Sequence, residues 1–104
     1  MINVTNDNFK EEVLDSGIPT VVDFYADWCG PCKAMAPILD SLSKEDSTIK
    51  YVKVNTDEQV EISAKYGVRN LPTILIIKNG DVVGKQIGAI SISGMRDKIR
   101  ASIQ

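Results

Sequence analysis

The chain has no histidine and only two cysteines among its 104 residues. The first absence removes imidazole zinc ligands, histidine general bases and the histidine of a haem-attachment motif together. The second leaves too little sulfur for the disulfide scaffolds that hold small secreted domains together. No apolar stretch approaches the roughly 20 residues that a membrane-spanning helix needs. Lysine and arginine are scattered and the formal net charge is -2, so nothing suggests electrostatic capture of nucleic acid or an anionic membrane. No glycine-rich dinucleotide fingerprint is present, and no bound nucleotide cofactor is expected. The opening residues Met1-Ile2-Asn3-Val4-Thr5-Asn6-Asp7 have neither the basic region nor the apolar core of a secretory leader, so a cytoplasmic location is expected. Internal repeats, linkers and low-complexity segments are missing too.

What remains has ordinary globular proportions, 43% hydrophobic and 25% charged, and residues 1–104 are expected to form one domain. Ile2 and Val4 begin a short strand. Thr5, Asn6 and Asp7 offer N-cap side chains to a short helix whose Phe9, Val13 and Leu14 face inward, with Gly17 as its stop. Residues 20–26 are nearly continuously apolar, as in a central strand covered on both faces. After the cysteines, Ala34, Ile38, Leu39 and Leu42 recur at helical spacing, and Pro37 either kinks this helix or starts a second one. Residues 49–55 alternate as a strand; a short helix follows through Ile62 and Ala64 to Tyr66, closed by Gly67. Strand and helix in alternation predict a parallel α/β arrangement. The pattern then changes: Asn79-Gly80 between two apolar runs predicts an antiparallel hairpin, making the sheet mixed. Ser91 caps a last helix whose Ile92, Met95, Ile99 and Ile103 share a face.

Both cysteines lie in Trp28-Cys29-Gly30-Pro31-Cys32, at a strand-to-helix junction. Three residues apart on one helical turn, they come about 5–6 Å from each other, within disulfide reach. Backbone N–H groups at the helix start would stabilise a Cys29 thiolate, while Cys32, one turn further in, would be the more covered. Gly30 allows a tight turn and the close approach of a partner chain, and Pro31 suits a first helical turn. Half of an intermolecular zinc site and a pair of inert core cysteines are the other readings; a haem link is ruled out because Lys33 stands where histidine is required. Asp23 interrupts the apolar run of Val21, Val22, Phe24 and Ala26, so it is expected to be buried. Desolvation would raise its pKa and make it a candidate proton carrier near neutral pH. Lys53, on the alternating strand, would ordinarily extend to solvent.

The run from Val22 to Lys33 resembles the active-site segment of the thioredoxin family. Lys53 in Val52-Lys53-Val54-Asn55, Leu71-Pro72-Thr73, Lys78-Asn79-Gly80 and Ile87-Gly88-Ala89 match later landmarks of that family, in order and at suitable spacing. The resemblance covers essentially the whole chain. It implies an α/β thioredoxin fold of order βαβαβαββα, with a central mixed five-stranded sheet flanked by four helices. It implies Cys29 as nucleophile and Cys32 as the resolving thiol, with Asp23 behind the pair helping to deprotonate Cys32 and the Lys53 ammonium beside Asp23. It also implies a cis Leu71–Pro72 bond whose neighbouring backbone pairs with substrate, and a docking surface completed by Trp28, Gly30, Pro31, Val68, Gly88 and Ala89. The expected activity is general protein disulfide reduction by a monomer without a cofactor of its own. Its partners would be disulfide-containing proteins and a thioredoxin reductase that renews the dithiol. Tyr25 and Asn70 depart from the pattern, where many members have Trp and Gly, and bear on the packing under Trp28 and the shape of the docking loop. A binding subunit using the same surface without turnover, or an oxidising or isomerising exchange enzyme, are the competing functions.

Overall fold

Five segments pair into one sheet in the computed structural model, which describes residues 1–104: β1 (Ile2–Asn3), β2 (Thr20–Tyr25), β3 (Lys50–Asn55), β4 (Thr73–Lys78) and β5 (Asp81–Ile87). Their spatial order is β1-β3-β2-β4-β5. The first three run parallel, β4 is antiparallel to β2, and β5 is antiparallel to β4. Helices α1 (Gly30–Glu45), α2 (Val60–Lys65) and α3 (Ile92–Ile103), with a single π-turn at Lys10–Leu14, give the four flanking helical elements and the element order that the resemblance implies. No helix is long and apolar enough to cross a membrane.

Alternation along β2 divides the core. Val22 and Phe24 join Val52, Val54, Leu75 and Ile77 beneath the π-turn and α2. Val21 joins Tyr51, Ile74 and Ile76 on the opposite face, covered by Met35, Leu39 and Leu42 of α1 and Met95 and Ile99 of α3. Both sides of the strand are therefore apolar, which is why its sequence reads as a continuous run. Asp23 lies on the second face, between Val21 and Tyr25, under the start of α1.

The hairpin turns where expected: Asn79 and Gly80 take φ of 53° and 80°, and Lys78 pairs with Asp81. Two left-handed residues are what a type I′ turn requires. Gly67 likewise ends α2 at φ 64°, and the Ser91 side chain accepts from the Gly94 N–H at the start of α3. Three expectations are corrected, and the alternative at Pro37 is decided. Gly17 has no left-handed φ; the turn before it has already ended at Asp15, whose N–H reaches the Lys10 carbonyl at 2.8 Å, while the Ser16 N–H reaches that of Val13 at 3.3 Å. Met35 takes the buried place in α1 while Ala34 is exposed, because the inward face of the helix falls on residues 35, 39 and 42. Pro37 starts no second helix; the one helix runs through it. The Lys33 carbonyl deprived of a donor lies on the outer side, where both residues are exposed and solvent can satisfy it. Asn6, finally, caps a different helix. Its Oδ1 accepts from the Ile62 N–H of α2 at 3.1 Å, and its own N–H donates to Gln59 Oε1 at 2.9 Å.

Candidate active site

The carboxyl end of β2 delivers the chain straight into α1, and the cysteine pair occupies that step. Cys29 is the N-cap residue: its backbone is extended, and its Sγ accepts from the Cys32 N–H at 3.2 Å. One orphan N–H of the first turn is thus aimed at sulfur, the arrangement that favours the thiolate once the pair is reduced. Gly30 and Pro31 fill the opening positions of the helix, where a missing N–H costs nothing. Cys29 and Cys32 are joined in a disulfide across Cα atoms 5.2 Å apart. The expected contrast in exposure between them is not found. Cys29 is 4% and Cys32 3% exposed, because the bond turns each sulfur onto the other and the pair packs with Ala26, Tyr25 and Leu71.

A groove of about 520 Å³ runs beside the disulfide. Residues 28–31 form one wall and residues 68–71 the other, with Thr56 between them in the chain. Trp28 is 71% exposed, yet its indole N–H is anchored by donation to Asp57 Oδ2 at 2.9 Å. It presents a broad apolar face in a fixed orientation. The Leu71–Pro72 bond is cis, and Pro72 itself is buried behind the groove. Gly88, at φ 85°, donates its N–H to the Pro72 carbonyl at 2.9 Å, so the end of β5 braces this loop. Among the expected docking residues, Trp28, Gly30, Pro31, Val68 and Leu71 line the groove, whereas Pro72, Gly88 and Ala89 do not. Thr56 and Arg69 line it without having been singled out from sequence. Thr56 carries no motif; only its place just past the carboxyl end of β3, beside that of β2, could have marked it.

Behind the disulfide lies a second cavity of about 190 Å³, bordered by Asp23, Tyr25, Asp27, Cys32, Lys33 and Lys53 among others. Asp23 is 2% exposed and its Oδ1 has no hydrogen-bond partner in the protein. Burial pushes its pKa up from 3.8 to about 7, with the Lys53 charge pulling less strongly the other way. The pairing of Asp23 with Lys53 across β2 and β3 puts the ammonium stem beside the carboxyl, but the two make no ion pair. Lys53 instead sits 5.6 Å over the Tyr25 ring. A buried carboxyl whose pKa is raised toward neutrality thus shares a cavity with one of the two sulfurs. No three His, Cys, Asp or Glu side chains converge in a way that could hold a metal ion.

Nearly the whole chain is similar in sequence to named relatives. A chain named thioredoxin from Rickettsia felis is 46% identical over 102 residues, 97% of each chain. Thioredoxin 1 from Nostoc sp. is 48% identical over 88 residues, covering 84% of this chain and 82% of its own. A thioredoxin from Porphyra purpurea is 43% identical over 101 residues, 96% and 94% of the two chains. Residues 1–101 match the family model described as Thioredoxin. With a Cys-X-X-Cys disulfide on a helix N-terminus, a mixed five-stranded sheet and these relatives along nearly its full length, the chain belongs to the thioredoxin family, whose members are thiol-disulfide oxidoreductases.

Proposed function

We propose that this chain is a general protein disulfide reductase, working as one cytoplasmic domain and as a monomer, without a cofactor of its own. The observation that carries the reading is the Cys29–Cys32 disulfide at the start of α1, with an open groove on one side and the buried Asp23 on the other.

In the reduced enzyme the Cys29 thiolate attacks one sulfur of a substrate disulfide. A Cys29–substrate bond forms, the substrate S–S bond breaks, and the first substrate thiolate departs. Asp23 takes the proton of Cys32, whose sulfur then attacks Cys29 Sγ. The second substrate thiolate leaves and the Cys29–Cys32 disulfide closes, so two electrons have passed to the substrate. A carboxylate with a pKa near 7 suits this transfer, since it is ionised often enough to accept a proton and basic enough to hold it. Lys53 favours the ionised carboxylate. The groove walls receive an extended substrate segment, with Trp28, Gly30, Pro31 and Leu71 in contact and the backbone around Leu71 and Pro72 adding a strand-like pairing. Gly88 and Ala89 flank that loop. A thioredoxin reductase returns two electrons and two protons to the pair; the substrates are proteins that carry disulfides.

Reduction of a disulfide-bonded protein, driven by dithiothreitol or a coupled reductase, tests the reading. Wild type should turn over and Cys29→Ser should not. Equal rates for the two would leave only the role of a binding subunit.

A further inference from the structure

The cation beside Asp23 is fenced in from the far side. The strand order places β3 between β1 and β2, with Asn3 paired to Lys53 on one side and Asp23 paired to Lys53 on the other. Paired residues share a face, so Asn3, Lys53 and Asp23 form one row, and Tyr25 follows two residues after Asp23 on that face. The Tyr25 hydroxyl donates to Asn3 Oδ1 at 3.0 Å. Its side chain therefore crosses β3 from β2 to β1, directly over the place where Lys53 emerges. The Lys53 ammonium lies 5.6 Å from the ring centroid and has no carboxylate partner. A lysine stem left alone at a strand surface swings into solvent, whereas an aromatic face within about 6 Å attracts the cation.

We propose that Tyr25 and Asn3 form a strap that holds the Lys53 ammonium in the cavity beside Asp23, making both of them positioning residues for the proton step. The proposal rests on the reading of Asp23 as acceptor of the Cys32 proton. The titratable and charged groups bordering the cavity with Asp23 are Met1, which carries the charged amino terminus, Tyr25 on β2, Asp27 just beyond it, Lys53 on β3, and Cys32 and Lys33 on α1. Asp27 and Lys33 are exposed and screened by solvent. Lys53 is the half-buried charge whose distance from the carboxyl depends on a side-chain contact.

The test is a carbon-NMR titration of the Asp23 carboxyl in the oxidised protein. Tyr25→Phe and Asn3→Ala both cut the strap and keep the ring; removing the ring would hydrate the cavity and lower the titration point for an unrelated reason. Each should raise the Asp23 midpoint by about half a pH unit, as the cation moves away. Lys53→Met should raise it at least as far, and adding Tyr25→Phe to Lys53→Met should raise it no further. No shift in either strap variant, or the same shift without Lys53, overturns the proposal. The pH profile of mixed-disulfide resolution is recorded alongside. A midpoint that moves with the profile supports strap and proton role together. A midpoint that moves while the profile stays fixed supports the strap and removes Asp23 from the proton step, so the two failures are told apart.

Discussion

Replacing Asp23 by Asn should stabilise the oxidised protein increasingly as pH rises. The wild-type carboxyl titrates near 7 in the folded chain against an ordinary value of 3.8, because burial penalises its charged form more than Lys53 relieves it. A raised carboxyl pKa means that the folded chain holds the proton more tightly than the unfolded one. Below about pH 4 both states are protonated and the group adds nothing to the pH dependence. Between about 4 and 7 the unfolded chain ionises first, and stability drops by about 1.4 kcal/mol per pH unit. Above 7 the folded carboxyl ionises too, and the loss levels off at about 4 kcal/mol. Asparagine has the same shape and no charge, so the variant escapes this loss. An amide with no partner in the cavity where Oδ1 has none costs about 1–3 kcal/mol, but that cost does not vary with pH. The diagnostic is therefore the widening of the gap and not its sign at one pH. Guanidinium unfolding followed by circular dichroism, with a slope of about 4 kcal/mol per molar, should show the midpoint gap between variant and wild type widening by about 1 M from pH 4 to pH 8. A gap of the same size at both pH values would refute the reasoning.

Gly84→Ala should cost about 1–3 kcal/mol in the same unfolding assay, since a methyl on β5 would meet Ile76 Cδ1 at 2.8 Å and press on Ser102 of α3. Trp28→Ala should raise KM for protein disulfides about tenfold while leaving reduction of the pair by dithiothreitol unchanged, because the indole is a docking face and touches no step of the sulfur chemistry. Cys32→Ser should stall after the first exchange, and mass spectrometry should find the enzyme carrying a substrate on Cys29.

Features that rest on local chemistry were legible in the chain itself. Asn79-Gly80 dictates its own turn, Ser91 its own cap, and Gly67 its own helix stop, since each depends on one residue's backbone or side chain. Asp23 was legible for a related reason: a lone carboxylate in an unbroken apolar run has nowhere to go but inside. Features set by distant contacts were not. Whether Ala34 or Met35 points inward depends on which side of α1 meets the sheet and α3, where Met35 joins Val21, Ile74 and Met95. The depth of Cys29 depends on the bond to Cys32 and on Leu71 from beyond α2. The hydrogen bond between Tyr25 and Asn3 spans strands that are not neighbours in the sheet, and no spacing in the sequence announces it. The groove has the same character: its two walls, residues 28–31 and 68–71, come from separate parts of the chain.

The side chain of Asn6 gives the N-terminal segment a mechanical hold on that groove. α2 has six residues, well short of the roughly 12–15 at which a helix is even marginal by itself, and its opening turn is gripped by Asn6 through Ile62 and Gln59. Gly67 then turns the chain into the wall at residues 68–71. A force or a protease acting at the first strand would accordingly be felt at the face opposite Cys29, by way of a short helix that keeps its packing through Ile62 but loses the grip on its opening turn.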